Sequence, residues 1–264
     1  MLFAKQKQSQ DLLEGFEIDA PYVTEVRRLL QNLSRHHGSQ KVERQVYMVT
    51  SAARDEGKST TCALMAIVAA RVFRRRTLLI DGDLRRPTVH SLMGVARGPG
   101  LREILLESVS IRDATRPTAL PLLSVIARGD SAVPASEVYS DEVFANLLAD
   151  SRARYDLVFV DAAPVVPVIE PILMAEHVDG ILVIAMAGKT PITAVRRSMQ
   201  ILEPVMSKIV GVVLNNAMNG LPYYYDYRYY GYKERRPTPL GKAGAPPGQD
   251  QDAPRAARDF EGDR

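Results

Sequence analysis

The chain has 264 residues, 46% hydrophobic and 25% charged, with a formal net charge of +3. That length suits one sizeable α/β domain with a tail and can bury a real core, while the charge is too small to argue for nucleic acid by itself. Cys62 is the only cysteine, which excludes an intramolecular disulfide and fits a reducing compartment.

No run approaches the roughly 18 consecutive apolar residues of a membrane span. The opening MLFAKQKQSQDLLEG lacks the apolar run and small-residue cleavage site of a secretory signal, so a cytoplasmic location is expected. Residues 1–19 are polar and read as a flexible N-terminus. PYVTEVRRLLQNL (21–33) has Val23, Val26, Leu29, Leu30 and Leu33 at helical spacing, and His36 and His37 follow in a linker. Apolar runs then alternate with helical segments. The strands are VYMVT (46–50), TLLID (77–81), LLSVI (122–126), LVFVD (157–161), ILVIA (181–185) and IVGVVLN (209–215). The helices are 58–75, 100–107, 141–153, 170–177 and 191–206. Continuous rather than alternating apolar runs belong to a parallel sheet covered on both faces. The alternation of strand and helix predicts an α/β, doubly wound, mostly parallel sheet flanked by helices.

The segment VYMVTSAARDEGKSTTCALMAIVAA reads strand, loop, helix, with GKST where the helix begins. Backbone N–H groups and a helix N-terminus converge on phosphates in such a P-loop; Lys58 reaches the terminal phosphates and the Ser59 hydroxyl ligates Mg²⁺. Gly57 permits close approach of the backbone. The generic first glycine is absent, because position 52 is Ala. Asp81 and Asp83 end one strand and Asp161 ends another, where an open parallel sheet binds its ligand. Each aspartate taken alone could be a helix cap; three around a P-loop point to Mg²⁺ and its waters, and to a nucleotide triphosphate.

The order TSAARDEGKST, LLIDGDLRRPTVH, YDLVFVDAAPV, GVVLNN and a C-terminal tyrosine cluster resembles the bacterial tyrosine kinases (BY-kinases), cytoplasmic autokinases of capsule and exopolysaccharide export. The resemblance covers roughly residues 20–232. It implies a P-loop NTPase fold and nucleotide contacts from Glu56, Gly57, Lys58, Ser59, Thr60, Arg85 and Asn215, with Ser59, Asp81 and Asp161 on the metal. Lys58, Asp81, Asp83 and Asp161 become the catalytic set, Asp83 orienting or deprotonating the incoming tyrosine. An assembly motif E-x-x-R-x-x-R is present as Glu25 and Arg28, with Gln31 in the last place. The loop commonly reads Pro-Gly where this chain has Arg54 and Asp55, and Ala162 and Ala163 stand where Thr-Pro is usual. ParA/MinD-type ATPases share the fold and GKST, but place a lysine where this chain has Ala53 and lack a tyrosine tail.

The segment YYYDYRYYGY (223–232) holds seven of the chain's eleven tyrosines and shows no period that sorts an inside from an outside. Beside an ATP site, Tyr223, Tyr224, Tyr225, Tyr227, Tyr229, Tyr230 and Tyr232 become phosphoacceptors, used in trans within a ring on the family pattern. Residues 223–242 carry five basic and two acidic side chains, net +3. Two phosphates at about −1.5 to −2 each roughly cancel that. Single-stranded nucleic acid could stack on such tyrosines, but no basic groove or RNA-binding motif accompanies them, so no nucleic-acid partner is expected. The resemblance further implies a membrane chain-length-determinant (polysaccharide co-polymerase) partner and a cognate tyrosine phosphatase. A non-catalytic or ATPase-only regulator stays open as the other class. The tail 233–264, rich in Pro, Gly, Ala and charge, is expected to be disordered.

Overall fold

A computed structural model describes residues 11–36 and 44–217. Seven strands, β1 (Gln45–Ser51), β2 (Thr77–Gly82), β3 (Thr115–Pro117), β4 (Leu123–Ile126), β5 (Leu157–Ala162), β6 (Gly180–Met186) and β7 (Ile209–Asn215), form one sheet. Its order is β3-β4-β2-β5-β1-β6-β7, and every pairing is parallel except β3 with β4. The described helices are α1 (Pro21–His36), α2 (Lys58–Arg71), α3 (Val89–Leu92), α4 (Leu101–Leu105), α5 (Ile111–Ala114), α6 (Ala135–Val138), α7 (Asp141–Arg154), α8 (Glu170–Ala175) and α9 (Ile192–Ile201). A 3₁₀ segment, Glu203–Lys208, leads into β7.

Strands β2, β5, β1 and β6, in the middle of the sheet, are buried at nearly every position, which is why their sequences are nearly uninterrupted apolar runs. Successive residues serve opposite cores. Leu78 and Ile80 of β2 join one with Phe144, Leu147 and Met174, on the side of α7 and α8. Leu79 joins the other with α2 and α1. Helix α2 is buried almost all round, Cys62 through Ala70, because it lies between the sheet and α1. Its alanines 63, 66, 69 and 70 keep it slim enough for that place. The chain runs outward from β1 to β2 and β4, then returns to insert β5 between β2 and β1 before building β6 and β7 on the other side. This reversal opens a crevice at the carboxyl ends of β1 and β5.

The expected helix 191–206 ends at Ile201 and gives way to the 3₁₀ segment, α3, α5 and α6 were not expected, and three further features differ from the sequence reading. Residues 11–19, expected within the flexible N-terminus, are packed turns. Phe16 is buried, stands edge-on to Tyr22 and lies 5.2 Å beneath the Arg71 guanidinium, and Leu12 N–H donates to Leu92 O. The polar average of the segment conceals these apolar anchors. Strand β3, only three residues, has no apolar run to announce it and pairs antiparallel at the sheet edge. Helix α2 stops at Arg71 rather than residue 75, with Arg74 at φ 55. Residues 1–10, the tyrosine cluster 223–232 and the tail 233–264 lie outside the described residues.

Candidate active site

Ser51 ends β1 and Lys58 begins α2, so the intervening loop lies at the carboxyl edge of the sheet. Gly57 has φ 86 and ψ 15, a left-handed backbone that turns the loop into the helix. A Cβ there would sit 2.0 Å from Asn215 Nδ2. Asp55, where the resemblance implies glycine, also has positive φ, at 58. The departure noted in sequence is therefore a backbone demand that an aspartate meets at some cost.

Lys58 is the hub. Its Nζ lies 3.0 Å from Asp83 Oδ2 and 3.4 Å from Asp161 Oδ1, and donates to Ser59 Oγ at 3.1 Å. Burial pulls the ammonium pKa down, but Asp161, Asp83 and Asp81 outweigh it and hold the pKa above its ordinary value. Asp81 and Asp161 are register partners across β2 and β5, and both are fully buried. Burial, and then the charge of Asp161, push Asp81 well above the usual carboxylate range. Burial raises Asp161 as well, against the pull of Lys58 and Ser59. Asp81 Oδ2 accepts from Val89 N–H at 3.2 Å, while Asp81 Oδ1 and Asp161 Oδ2 have no hydrogen-bond partner among the described residues. Asp83 is fixed from both sides, since its Oδ1 accepts Arg85 and Arg86 N–H groups at 3.2 and 2.9 Å.

Thus Lys58, Ser59, Asp83 and Asp161 converge by direct contact, and Asp81 stands beside them in the adjacent strand. Thr60 follows, part-buried, in the first turn of α2. Two buried carboxylate oxygens without donors, next to a serine hydroxyl, are a donor set suited to a hard cation and its waters.

Three residues expected at the nucleotide have other partners. Glu56 is 1% exposed, and its carboxylate accepts from Ala53 N–H at 2.9 Å and from the Thr190 hydroxyl at 2.6 Å. Its side chain is therefore a brace inside the loop, and only its backbone is left to meet phosphate. Arg85 extends to Glu170, with Nε and a terminal nitrogen 3.2 and 2.8 Å from Oε1. Asn215 Nδ2 donates to Glu56 O at 3.0 Å and its Oδ1 accepts from Asn216 N–H at 2.8 Å. Glu25 and Arg28 pair with one another at 2.7 Å on the exposed side of α1, near exposed Gln31. Sequence reasoning missed Lys189 and Thr190, which reach the loop from the turn after β6; the only signal was the GKT at the end of that strand.

No family model matches the chain. The tyrosine-protein kinase Wzc of Salmonella typhi is 31% identical over 229 residues, which are 87% of this chain and 31% of that protein. The chain thus spans about a third of the length of the Wzc proteins it matches. Tyrosine-protein kinase YwqD of Bacillus subtilis is 32% identical over 195 residues, 73% of this chain and 81% of that protein. The kinase domain of the Escherichia coli tyrosine kinase ETK superposes with a TM-score of 0.68 at 30% identity, covering 73% of this chain and 74% of that one. The septum site-determining protein MinD of Pyrococcus horikoshii, solved with Mg-ADP, shares the fold at a TM-score of 0.55 and 16% identity, covering 64% of this chain and 69% of that one. With the P-loop, the strand-end aspartates and a relative matched over most of its length, the chain belongs to the bacterial tyrosine kinase (BY-kinase) family.

Proposed function

We propose that the chain is an ATP-dependent protein-tyrosine autokinase that phosphorylates the cluster Tyr223–Tyr232 in trans, from one subunit of a ring to the next, and so regulates polymerisation and export of a capsular or exopolysaccharide. The observation that carries this reading is Lys58, held 3.0 Å from Asp83 and 3.4 Å from Asp161 at the root of a P-loop. The same chain supplies seven tyrosines in ten positions.

Lys58 moves from the carboxylates to the β- and γ-phosphates when ATP enters. Ser59, Asp81 and Asp161 would hold Mg²⁺, which when bound would supply positive charge to neutralise the transferred phosphoryl group. Asp83, clamped by two backbone N–H groups, receives the acceptor hydroxyl. As the phenolic oxygen bonds to phosphorus and the bond to the ADP oxygen breaks, the phenolic proton passes to Asp83. In a loose transition state positioning counts for more than base strength. Glu25 and Arg28, exposed on α1, are offered as subunit contacts. No described helix is long and apolar enough to cross a membrane, and recruitment to the inner membrane face by a chain-length-determinant protein fits. A tyrosine phosphatase would reset the cluster, and nucleic acid has no part.

The test is phosphotyrosine mapping by mass spectrometry after incubation with Mg-ATP, with and without the partner's cytoplasmic segment, beside Lys58→Met. Label on Tyr223–Tyr232 that vanishes in Lys58→Met supports the autokinase. ATP binding without label, even with the partner supplied, favours an ATPase-only regulator. The left-handed Asp55, at φ 58, is what keeps that second reading in view.

A further inference from the structure

The turn after β6 touches the phosphate loop at three consecutive residues. Lys189 Nζ donates to Asp55 O at 2.8 Å and to Arg54 O at 3.4 Å, and the Thr190 hydroxyl donates to Glu56 Oε1 at 2.6 Å. We propose that Lys189 and Thr190 are positioning residues for the phosphate loop, and that Lys189 holds it at Arg54 and at Asp55, whose backbone is left-handed.

The turn is built to act as a fixed anchor. Lys189 and Thr190 N–H groups both donate to Met186 O, at 3.1 and 2.9 Å, and Ala187 N–H donates to Asn215 O at 2.9 Å. The turn is thereby tied to β6 and β7. Thr190 Oγ1 accepts Met186 N–H at 2.8 Å, so its single proton is left for Glu56. Glu56 is buried, and its other oxygen accepts Ala53 N–H at 2.9 Å. Without the Thr190 hydroxyl, a buried carboxylate oxygen loses its donor and the brace across residues 53–56 slackens.

Lys189 acts on the outer side of the same loop. At φ 58 Asp55 occupies a conformation that a residue with a Cβ leaves readily. Relaxing to negative φ swings its carbonyl away from the ammonium and breaks a charge-assisted bond. Lys189 therefore supplies, from 134 positions away, a restraint that a glycine at position 55, unstrained at positive φ, would need less. The benefit to nucleotide rests on the reading that this loop binds ATP; the restraint on the loop itself does not.

The experiment uses the full chain with Thr190→Val, Thr190→Ser, Lys189→Met, and Lys189→Met combined with Asp55→Gly. Amide exchange at residues 53–57 is measured without nucleotide, and affinity with a fluorescent ATP analogue and Mg²⁺. Thr190→Val and Lys189→Met should each speed exchange at 53–57 and weaken the analogue roughly 10-fold, the effect of losing one strong hydrogen bond. The kinetic loss should fall on KM for ATP more than on kcat. Thr190→Ser should restore native behaviour, and in the Asp55→Gly background loss of Lys189 should cost less than about threefold. Native exchange and affinity in both Thr190→Val and Lys189→Met would overturn the proposal. A native chain that binds no analogue would sink the ATP reading alone, since exchange still decides whether the turn restrains the loop.

Discussion

Gly57→Ala tests whether the loop and β7 are joined as the structure has them. Alanine at φ 86 carries a left-handed penalty of about 1–2 kcal/mol. Its Cβ would fall 2.0 Å from Asn215 Nδ2 and 3.3 Å from Asn215 Cγ, so the carboxamide must move. It is the end of a side chain and can do so, but it gives up its 3.0 Å bond to Glu56 O, worth about 1 kcal/mol. The total is about 2–3 kcal/mol, or roughly 5–10 °C in Tm for a domain of this size. Asn215→Ala alone should cost about 1 kcal/mol. Added to Gly57→Ala it should cost almost nothing, because the bond is already lost. Thermal melts of the four proteins give the cycle. If Asn215→Ala costs the same on both backgrounds, Asn215 is not displaced and the described packing is wrong.

Burial, with Asp161 beside it, raises the Asp81 pKa. A carboxylate with a raised folded pKa adds stability that is complete below the unfolded value of about 4 and lost as pH climbs through the folded value. Without metal or nucleotide, Asp81→Asn should therefore melt above the native chain, with the gap wider at about pH 8 than at about pH 5; a constant gap would contradict the burial argument. Arg85→Ala leaves the Glu170 carboxylate, 5% exposed, without its 2.8 Å partner. Since the arginine side chain is itself 44% exposed, the cost should be about 1–3 kcal/mol, below that of a fully buried pair. Glu170→Gln in the same background should recover most of it, and a full additive loss in the double variant would argue against the pairing.

The inner strands could be read from sequence because burial on both faces leaves their middles without a polar position, as at 78–80 and 158–160. Lys58, Ser59, Asp81, Asp83 and Asp161 were legible for a related reason: strand ends and a helix start are local features, and parallel topology brings them to one edge. What was not legible depended on distance. Nothing near Glu56 reveals that its carboxylate is taken by Thr190, 134 positions on, or near Arg85 that Glu170 awaits it. The brief β3 and the anchoring of Phe16 on Arg71 likewise depend on neighbours that only the fold supplies.

If the chain binds ATP as proposed, metal dependence is the outcome expected from the charge balance around Lys58. Three aspartates, 81, 83 and 161, each nine-tenths or more buried, face one lysine that is itself 8% exposed. Lys58 now compensates them, through contacts of 3.0 and 3.4 Å to two of the three. To meet phosphate it must leave, and an incoming polyphosphate adds anionic charge where the carboxylates have just lost their cation. Lys58 can make that exchange only if another cation neutralises Asp81 and Asp161. ATP in excess EDTA should therefore bind at least about tenfold more weakly than Mg-ATP, a factor that needs only about 1.4 kcal/mol of uncompensated repulsion. Protonating the two raised aspartates relieves the same repulsion, so the EDTA penalty should shrink as pH falls. Titration calorimetry with and without Mg²⁺ at two pH values reads both effects. Equal affinity with and without the metal would mean that Lys58 never leaves the carboxylates, and with it the assignment of Lys58 to the phosphates would fail.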